Sequence, residues 1–191
     1  MRCRLCLKLS WQPLCQTCLQ TLLVPTPAFR ILEDGLKVYS FYRYSEIAPL
    51  LHTKHTFIGA HVFAQLARHT FFEFCKAFDL PGDIYAIPID DHVRNNYAHS
   101  AILAKATRPY LKPLYGVLRA QNIVSYSGQS KAFRHANKRD FKVTCQRGID
   151  AILIDDIVTT GSTLEEAHHC LKQHEVNVLF ALVLADAKES D

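Results

Sequence analysis

The stretch that decides the fold reads Ile152-Leu153-Ile154-Asp155-Asp156-Ile157-Val158-Thr159-Thr160-Gly161-Ser162-Thr163-Leu164. We expect a buried strand that ends in two adjacent carboxylates, followed by a turn of small hydroxyl residues that opens a helix. An ionised carboxylate only accepts hydrogen bonds, so Asp155 and Asp156 suit the neighbouring hydroxyls of a sugar. The turn aims N–H groups and hydroxyls at one point, where the positive end of the helix dipole favours a phosphate. The stretch therefore predicts a site for a ribose 5-phosphate.

A purely structural interpretation of the same residues is simpler. Ser162-x-x-Glu165 matches a capping box, in which two side chains satisfy N–H groups at the start of a helix. Two aspartates at a strand end can also be solvated without binding a ligand. A capping box does not require the further hydroxyl residues and the glycine of this turn, so we favour the phosphate site.

Strand and helix patterns alternate along the rest of the chain. Short apolar runs typical of buried strands lie at 84–88, 151–154 and 176–184, and strand patterns also lie at 36–44 and 115–124. Apolar residues recur at helical spacing over 47–78, 98–105 and 164–173. The polar, basic stretch 125–148 is predicted to be a loop. This alternation predicts an α/β fold, a parallel sheet flanked by helices.

Length and composition restrict the class of protein. The chain has 191 residues, of which 49% are hydrophobic and 21% charged, and these values exclude wholesale disorder. The net charge of +4 permits an anionic partner without requiring one. No apolar run is long enough to span a membrane, and no signal-peptide pattern follows Met1, so we expect a cytoplasmic protein with reduced thiols.

Four of the seven cysteines lie in two Cys-x-x-Cys motifs, Cys3 with Cys6 and Cys15 with Cys18. Two such knuckles can complete a tetrahedral four-thiolate site, which zinc prefers and which leaves no open position for catalysis. The alternatives are unrelated cysteines or a redox pair, but a redox pair is usually a single motif that opens a helix after a strand. We expect a structural zinc finger at 1–24, a proline-containing linker at 25–34 and the main domain at 35–191. Apart from the cysteines, residues 1–23 have little that could form a core.

A second candidate surface is the basic stretch 119–147, which has seven basic residues and one acid, a net charge of +6. Tyr126, Phe133 and Phe141 are interleaved with these charges. Cations with interleaved rings are typical of single-strand-binding surfaces, where rings stack on bases. A loop that contacts only pyrophosphate would have the same composition, and both interpretations stay open. The candidate nucleic-acid contacts are Lys131, Phe133, Arg134, Lys138 and Arg139.

The stretch 152–164 resembles the phosphoribosyl-pyrophosphate (PRPP) loop of type I phosphoribosyltransferases. Together with the two cysteine knuckles, the chain more narrowly resembles the ComF family of competence proteins. Ala86-Ile87-Pro88-Ile89 with Arg94, Tyr97 and His99 is similar to a further family stretch, and so is Gln129…Arg134-x-x-Asn137…Phe141. The resemblance covers nearly the whole chain, although Asn95-Asn96 stand where the family commonly has Arg-Gly.

This resemblance implies a PRPP site that works with Mg2+. It implies that Asp155 and Asp156 are catalytic and hold the ribose hydroxyls. The segment after Pro88 would be the pyrophosphate loop, residues 126–147 would cover the site, and Lys54 resembles a lysine near the start of the family's fold. The remaining PRPP contacts implied are Val158, Thr159, Thr160, Gly161, Ser162, Thr163, Ile89 and Arg94.

The resemblance also implies a function in natural transformation. The protein would bind incoming single-stranded DNA in the cytoplasm, beside the inner-membrane uptake machinery, with a DNA-translocating helicase or other uptake proteins as partners. One alternative is a salvage phosphoribosyltransferase that acts on a free nucleobase, although no base-recognition hood is recognisable in the sequence. Another is a regulatory module that senses PRPP. No sequence feature separates turnover of PRPP from binding alone.

Overall fold

The structure is a computed structural model that describes residues 1–78, 82–89, 98–122 and 139–188. Within these residues lie nine strands: β1 (Ala28–Ile31), β2 (Lys37–Ser40), β3 (Tyr42–Arg43), β4 (Ile84–Pro88), β5 (Lys112–Pro113), β6 (Leu118–Ala120), β7 (Phe141–Val143), β8 (Asp150–Val158) and β9 (Asn177–Asp186). Seven of them form the central sheet, in the order β1-β2-β9-β8-β4-β5 with β3 also paired to β9.

Parallel pairing dominates this sheet. β8 pairs in parallel with β4 on one side and with β9 on the other, and β2 and β5 extend the same arrangement outward. The long apolar runs of β8 and β9 are explained by their central position, where both faces are covered. Only β1, at the edge, runs antiparallel to β2. The predicted α/β fold with a mainly parallel sheet is therefore confirmed.

Helices cover both faces of the sheet. The described helices are α1 (Gln16–Thr21), α2 (Tyr44–Leu51), α3 (Phe57–Ala67), α4 (Glu73–Ala77), α5 (His99–Ala106) and α6 (Ser162–Gln173). Helices α2, α3 and α5 pack with Ile152 and Ile154 of β8 in one core cluster. Helix α6 packs with Ala151 and Leu153 in a second cluster on the other face. Each face of β8 thus has its own core, as the two-residue period of a strand requires.

The helical pattern predicted over 47–78 is confirmed, but it is not one helix. A 3₁₀ turn (His52–His55) follows α2, and a π-helical turn (Arg68–Phe72) joins α3 to α4. The chain becomes extended at Thr56, whose hydroxyl accepts a hydrogen bond from the Gly59 N–H and so caps α3. This break lets the 3₁₀ turn leave the helical layer and approach β8.

Two predictions made for 115–148 are corrected. In its described part, 115–122, the predicted strand is limited to β6. The predicted loop at 125–148 contains β7, which pairs antiparallel with β6 in a separate two-stranded sheet. The apolar residues Phe141 and Val143 alternate with Lys142, which suits a strand with one buried face. Residues 123–138 lie outside the described part of the chain.

The N-terminal segment contributes more to the core than its sequence suggested. Leu14, Leu19 and Leu23 are buried in the same cluster as the helices of the main domain. The Gln65 side chain accepts from the Leu14 N–H and donates to the Leu14 carbonyl, at 2.9 Å in both cases. The expectation that residues 1–23 lack core-forming residues is therefore wrong.

The predicted linker at 25–34 includes the edge strand β1, which is part of the sheet. The division of the chain at 24 and 34 stays a prediction. Among the described residues, no helix has the length and apolar character needed to cross a membrane.

Candidate functional sites

The two aspartates lie within β8, not at its end. The strand continues through Ile157 to Val158, which corrects the expectation that it stops at the acidic pair. Asp156 is only 4% exposed, whereas Asp155 is half-buried. Adjacent residues of a strand point to opposite faces, yet the Asp155 carboxylate turns back to accept a hydrogen bond from the Asp156 N–H at 2.8 Å. The two carboxylates are close together: an oxygen of each and a ring nitrogen of His99 all lie within 4.8 Å of one another.

Asp156 contacts a lysine and a histidine from distant parts of the chain. Its Oδ2 lies 3.2 Å from Nζ of Lys54 in the 3₁₀ turn and 3.6 Å from Nε2 of His99 at the start of α5. Burial alone would raise the pKa of Asp156, but His99 and Lys54 outweigh it and keep this pKa below its usual value. Asp156 is therefore ionised at neutral pH and paired within the protein.

The pKa of Asp155 is shifted in the opposite direction. Burial and the neighbouring Asp156 charge raise the pKa of Asp155 from 3.8 to about 7, although the Asp156 N–H, Arg139 and Lys54 counteract this. Burial in turn lowers the pKa of Arg139, against the attraction of Asp155 and Glu166. The two carboxylates thus differ: the pKa of Asp156 is lowered and that of Asp155 is raised.

The turn after β8 has the geometry of an anion-binding loop. Gly161, at φ +94°, precedes α6, and Ser162 is the first residue of that helix. The Thr160 hydroxyl lies 3.0 Å from the Ser162 hydroxyl and 3.4 Å from the Ser162 nitrogen. Val158 is buried at the end of β8, whereas Thr159 and Thr160 are exposed. The Thr160 and Ser162 hydroxyls therefore lie together at the start of α6, where helix N–H groups favour an anion.

The capping-box alternative does not hold in this structure. The N-cap position belongs to Gly161, and no side chain caps the helix among the described residues. The Glu165 carboxylate, which a capping box would direct to its own helix, accepts instead from the Glu33 N–H at 3.0 Å. Among the described residues, the Ser162 N–H donates to the Thr160 hydroxyl at 3.4 Å, and no side chain caps the N–H groups that follow it. This arrangement favours the phosphate interpretation.

The structure places the predicted pyrophosphate-loop residues only in part. Ile89 is buried, and its N–H donates to the Ile154 carbonyl at 2.9 Å, so it continues the pairing of β4 with β8. Its side chain belongs to the core on the α6 face. Arg94 lies outside the described residues.

Of the five candidate nucleic-acid residues, Lys131, Phe133, Arg134 and Lys138 lie outside the described residues. Arg139 is described, and it belongs to the acidic site: it is half-buried, and the charges of Asp155, Asp156 and Glu166 act on it. The Glu166 carboxylate also accepts from the N–H groups of Arg139 and Asp140, at 3.1 and 2.8 Å. Helix α6 thereby fixes the start of β7 beside the acidic pair.

The four N-terminal cysteines form a cluster with the spacing of a metal site. Sγ atoms of Cys3 and Cys18 are 3.8 Å apart, and those of Cys6 and Cys15 are 3.6 Å apart. A tetrahedral site with Zn–S bonds of about 2.3 Å requires sulfurs about 3.8 Å apart. All four cysteines are free thiols rather than disulfides. The donor set and spacing therefore fit one zinc ion.

Backbone N–H groups favour the thiolate form of one cysteine in this cluster. Burial opposes ionisation of Cys3, but N–H groups of Cys6, Cys15 and Leu5 outweigh it and lower the pKa of the Cys3 thiol to about 6. Burial raises the pKa of the Cys18 thiol to about 12. Thiolates are the zinc-binding form, so a bound cation would have to ionise Cys18.

Two residues of the acidic site had no independent sequence signal. His99 occurred only within a stretch of family resemblance, and Glu166 was not singled out. Both act over large sequence separations, His99 on a residue of β8 and Glu166 on the start of β7. Their contribution depends on how α5 and α6 pack against the sheet, which a linear pattern does not encode.

Comparison with known proteins gives similarity to solved structures only. No family model matches the chain, and no curated protein matches it. Orotate phosphoribosyltransferase from Aeropyrum pernix is 18% identical, covers 91% of this chain and 82% of its own, and has a TM-score of 0.44. A hypoxanthine phosphoribosyltransferase from Staphylococcus aureus is 14% identical, with 68% of each chain covered and a TM-score of 0.42.

Adenine phosphoribosyltransferase from Saccharomyces cerevisiae is 13% identical, covers 90% of this chain and 89% of its own, and has a TM-score of 0.39. The names of these proteins do not identify a substrate for this chain. Its α/β fold is defined by its own sheet order and strand pairing.

Proposed function

We propose that the chain binds PRPP together with Mg2+ at the loop that follows β8. The single observation that carries this proposal is the position of Asp155 next to an uncapped helix N-terminus on the same strand and turn. The carboxylate can accept hydrogen bonds from sugar hydroxyls, and the N–H groups and hydroxyls of the turn can bind a phosphate a few residues away. The matching ligand is a ribose that carries a 5-phosphate.

The proposed roles differ between the two aspartates. Asp155 accepts hydrogen bonds from the ribose hydroxyls, and residues 158–163 hold the 5-phosphate. Asp156 keeps Lys54 and His99 in place and sets the charge next to Asp155. Mg2+ would be held by pyrophosphate oxygens, sugar oxygens and water, and would neutralise the pyrophosphate. If PRPP reacts, its C1–O bond to pyrophosphate breaks through an oxocarbenium-like state.

Calorimetric titration of PRPP in the presence of Mg2+ tests this proposal. Asp155→Asn keeps the shape of the side chain but supplies only one acceptor oxygen, so affinity should fall at least about tenfold, since a charged hydrogen bond contributes about 1.5–3 kcal/mol. Asp150→Asn, at the opposite end of the same strand, is the matched control and should bind as wild type does. Equal PRPP affinity in wild type and Asp155→Asn would contradict the ribose assignment.

Turnover is a separate question that the same protein preparation can answer. Release of pyrophosphate from PRPP should be measured alone, with each common nucleobase, and with single-stranded DNA. Release that depends on one nucleobase would support the salvage alternative. Binding without release under all three conditions would support a sensing function.

We further propose that the chain handles single-stranded DNA in natural transformation, and that the zinc finger supplies part of the DNA-binding surface. The resemblance to the ComF family is one support. The other is the surface of the finger: Arg2, Arg4 and Lys8 occur in a segment without acidic residues, and Trp11 is 99% exposed. A basic surface with an exposed ring suits phosphates and a stacked base. Uptake proteins at the inner membrane are the proposed partners.

A further inference from the structure

The hairpin formed by β1 and β2 packs directly against the phosphate loop. The Arg30 guanidinium donates to the Thr159 carbonyl at 2.6 Å, and its Nε lies 3.1 Å from the carboxylate of Asp186 at the end of β9. Leu32 covers Gly161 so closely that a Cβ on this glycine would lie 2.6 Å from a Leu32 methyl group. The loop is therefore held by hydrogen-bond and packing contacts with an element that lies about 130 residues earlier in the chain.

The tip of the same hairpin is fixed to α6. The Glu33 N–H donates to the Glu165 carboxylate at 3.0 Å, and the Asp34 carboxylate lies 2.6 Å from Nδ1 of His168. These two contacts are on the first two turns of the helix that begins at the loop. The hairpin cannot shift relative to α6 without losing both, so Arg30 is held at a defined position over Thr159.

The contact with the Thr159 carbonyl determines where a neighbouring N–H points. No cis peptide bond occurs among the described residues, and in a trans peptide the carbonyl and the following N–H point in opposite directions. Because the Thr159 carbonyl points to Arg30 of the hairpin, the Thr160 N–H is turned away from the hairpin. The hydroxyl of the same Thr160 lies 3.0 Å from the Ser162 hydroxyl.

We infer that Arg30 is a positioning residue of the 5-phosphate site, which orients the peptide group between Thr159 and Thr160 so that its N–H faces the phosphate. The inference rests on the proposed function, since it concerns the same loop. The neighbouring carboxylate of Asp186 balances the Arg30 charge. The contribution of Arg30 is therefore mainly orientation of the loop rather than long-range attraction of the anion.

The test uses the full-length zinc-loaded protein, with ribose 5-phosphate, inorganic phosphate and PRPP as probes. Arg30→Gln should weaken ribose 5-phosphate binding about tenfold, the effect expected when one charge-assisted hydrogen bond is lost. In ¹⁵N-labelled protein, the Thr160 amide signal should shift when phosphate is added to wild type but not when it is added to Arg30→Gln. Arg30→Lys keeps the charge and one donor and should recover part of the affinity.

Arg147→Gln is the matched control, because Arg147 also forms an ion pair at 3.1 Å, with Glu175 near the opposite end of the sheet. It should bind ribose 5-phosphate as wild type does. Equal affinity of wild type and Arg30→Gln, or a Thr160 amide that responds to phosphate in both, would overturn the inference while the PRPP proposal stands. Wild-type protein that binds neither PRPP nor ribose 5-phosphate would overturn both. If Arg30→Gln does not fold, the Thr160 amide is measured in Arg30→Lys instead. The inference would be overturned if this amide responds to phosphate as in wild type and the variant binds ribose 5-phosphate with wild-type affinity.

Discussion

Lys54 and Asp156 form an ion pair with 3.2 Å between Nζ and Oδ2, although 102 positions separate them in the chain. The pair connects the 3₁₀ turn after α2 to the central strand β8. The two adjacent aspartates are unequal, because His99 and Lys54 keep the pKa of Asp156 below its usual value, whereas burial and the Asp156 charge raise that of Asp155. Removal of one partner of a buried pair leaves the other charge uncompensated.

Asp156→Asn should therefore destabilise the protein, whereas Asp155→Asn should not. Loss of the Asp156 charge removes the buried carboxylate that Lys54 and His99 contact. The expected cost is about 1–3 kcal/mol, because the Lys54 side chain is 31% exposed and water solvates it in part. Loss of the Asp155 charge removes repulsion between two carboxylates. Urea unfolding of both variants at pH 7.5 measures the difference. A larger loss of stability in Asp155→Asn than in Asp156→Asn would contradict the unequal roles.

The raised pKa of Asp155 predicts a pH dependence of stability. Between about pH 4 and pH 7, the folded chain keeps a proton on Asp155 that the unfolded chain has released, because the folded pKa is about 7 and the ordinary value 3.8. The free energy of unfolding should therefore fall as pH rises through this window. Asp156 acts in the opposite direction, but only below pH 3.8, since its folded pKa is lowered.

Thermal unfolding of wild type and Asp155→Asn between pH 4.5 and pH 8 checks this prediction. The difference between the two proteins isolates the contribution of Asp155, because all other titratable groups are common to both. Asp155→Asn should gain relative to wild type as pH rises, by about 2–4 °C for each kcal/mol of repulsion removed. Parallel curves for the two proteins would show that Asp155 does not titrate in this window.

Gly161→Ala should damage the phosphate loop more than a comparable change elsewhere. Gly161 has φ +94°, and a Cβ would also meet the Leu32 side chain at 2.6 Å. Gly148 has φ +69°, but nothing lies within 4 Å of its Cβ position. Gly148→Ala should thus cost only the backbone strain, about 1–2 kcal/mol, and Gly161→Ala should cost more. Chemical denaturation measures the loss in free energy of unfolding of each variant. Equal losses would show that the Leu32 side chain moves aside without a cost in stability.

Zinc removal should lower the stability of the whole chain. Cys6→Ser should lose the ion, and because Leu14, Leu19 and Leu23 are part of the main core, the effect should extend beyond the finger. Metal analysis and thermal unfolding measure both changes. Cys145→Ser, which changes a cysteine outside the cluster, is the control and should keep one zinc per chain. Full zinc content in a variant that lacks Cys3 and Cys6 would refute the site.

The DNA proposal predicts which surface sets the salt dependence of binding. Affinity for single strands falls with a log–log slope of about −0.7 per phosphate neutralised. Replacing Arg2, Arg4 and Lys8 by Ala should flatten this slope if DNA crosses the zinc finger. Replacing Trp11 by Ala should weaken binding by about 1–3 kcal/mol with little change in slope, because stacking is not ionic.

The matching triple change in the basic stretch replaces Lys131, Arg134 and Lys138 and leaves Arg139 in the acidic site. The two triple variants should be compared by fluorescence anisotropy across a salt series. A flattened slope in the basic-stretch variant alone would place DNA on that stretch. Wild-type slopes in both would show that neither surface contacts the backbone of DNA.

Local sequence patterns were sufficient to predict those strands and helices whose bounds depend mainly on their own residues. Strand β4 was predicted with its observed bounds, and α5 and α6 differ from prediction by one or two residues. The Cys-x-x-Cys knuckles were likewise visible in the sequence, because each turn is short and the two lie close together in the chain. Apolar spacing and short-range motifs encode such features directly.

Only the tertiary structure decided how the acidic pair and the phosphate loop are held. The partner of Asp156 comes from the 3₁₀ turn, that of the Thr159 carbonyl from the edge strand β1, and that of the Arg139 N–H from α6. Strand β7 is paired with β6 and was missed for the same reason. Each of these contacts joins segments that are distant in sequence, so it exists only after the helices pack on both faces of the sheet. The sequence determined which residue types follow the central strand, because carboxylates, hydroxyls and a glycine are read directly from it. Packing determined their partners, because those partners come from other elements of the fold.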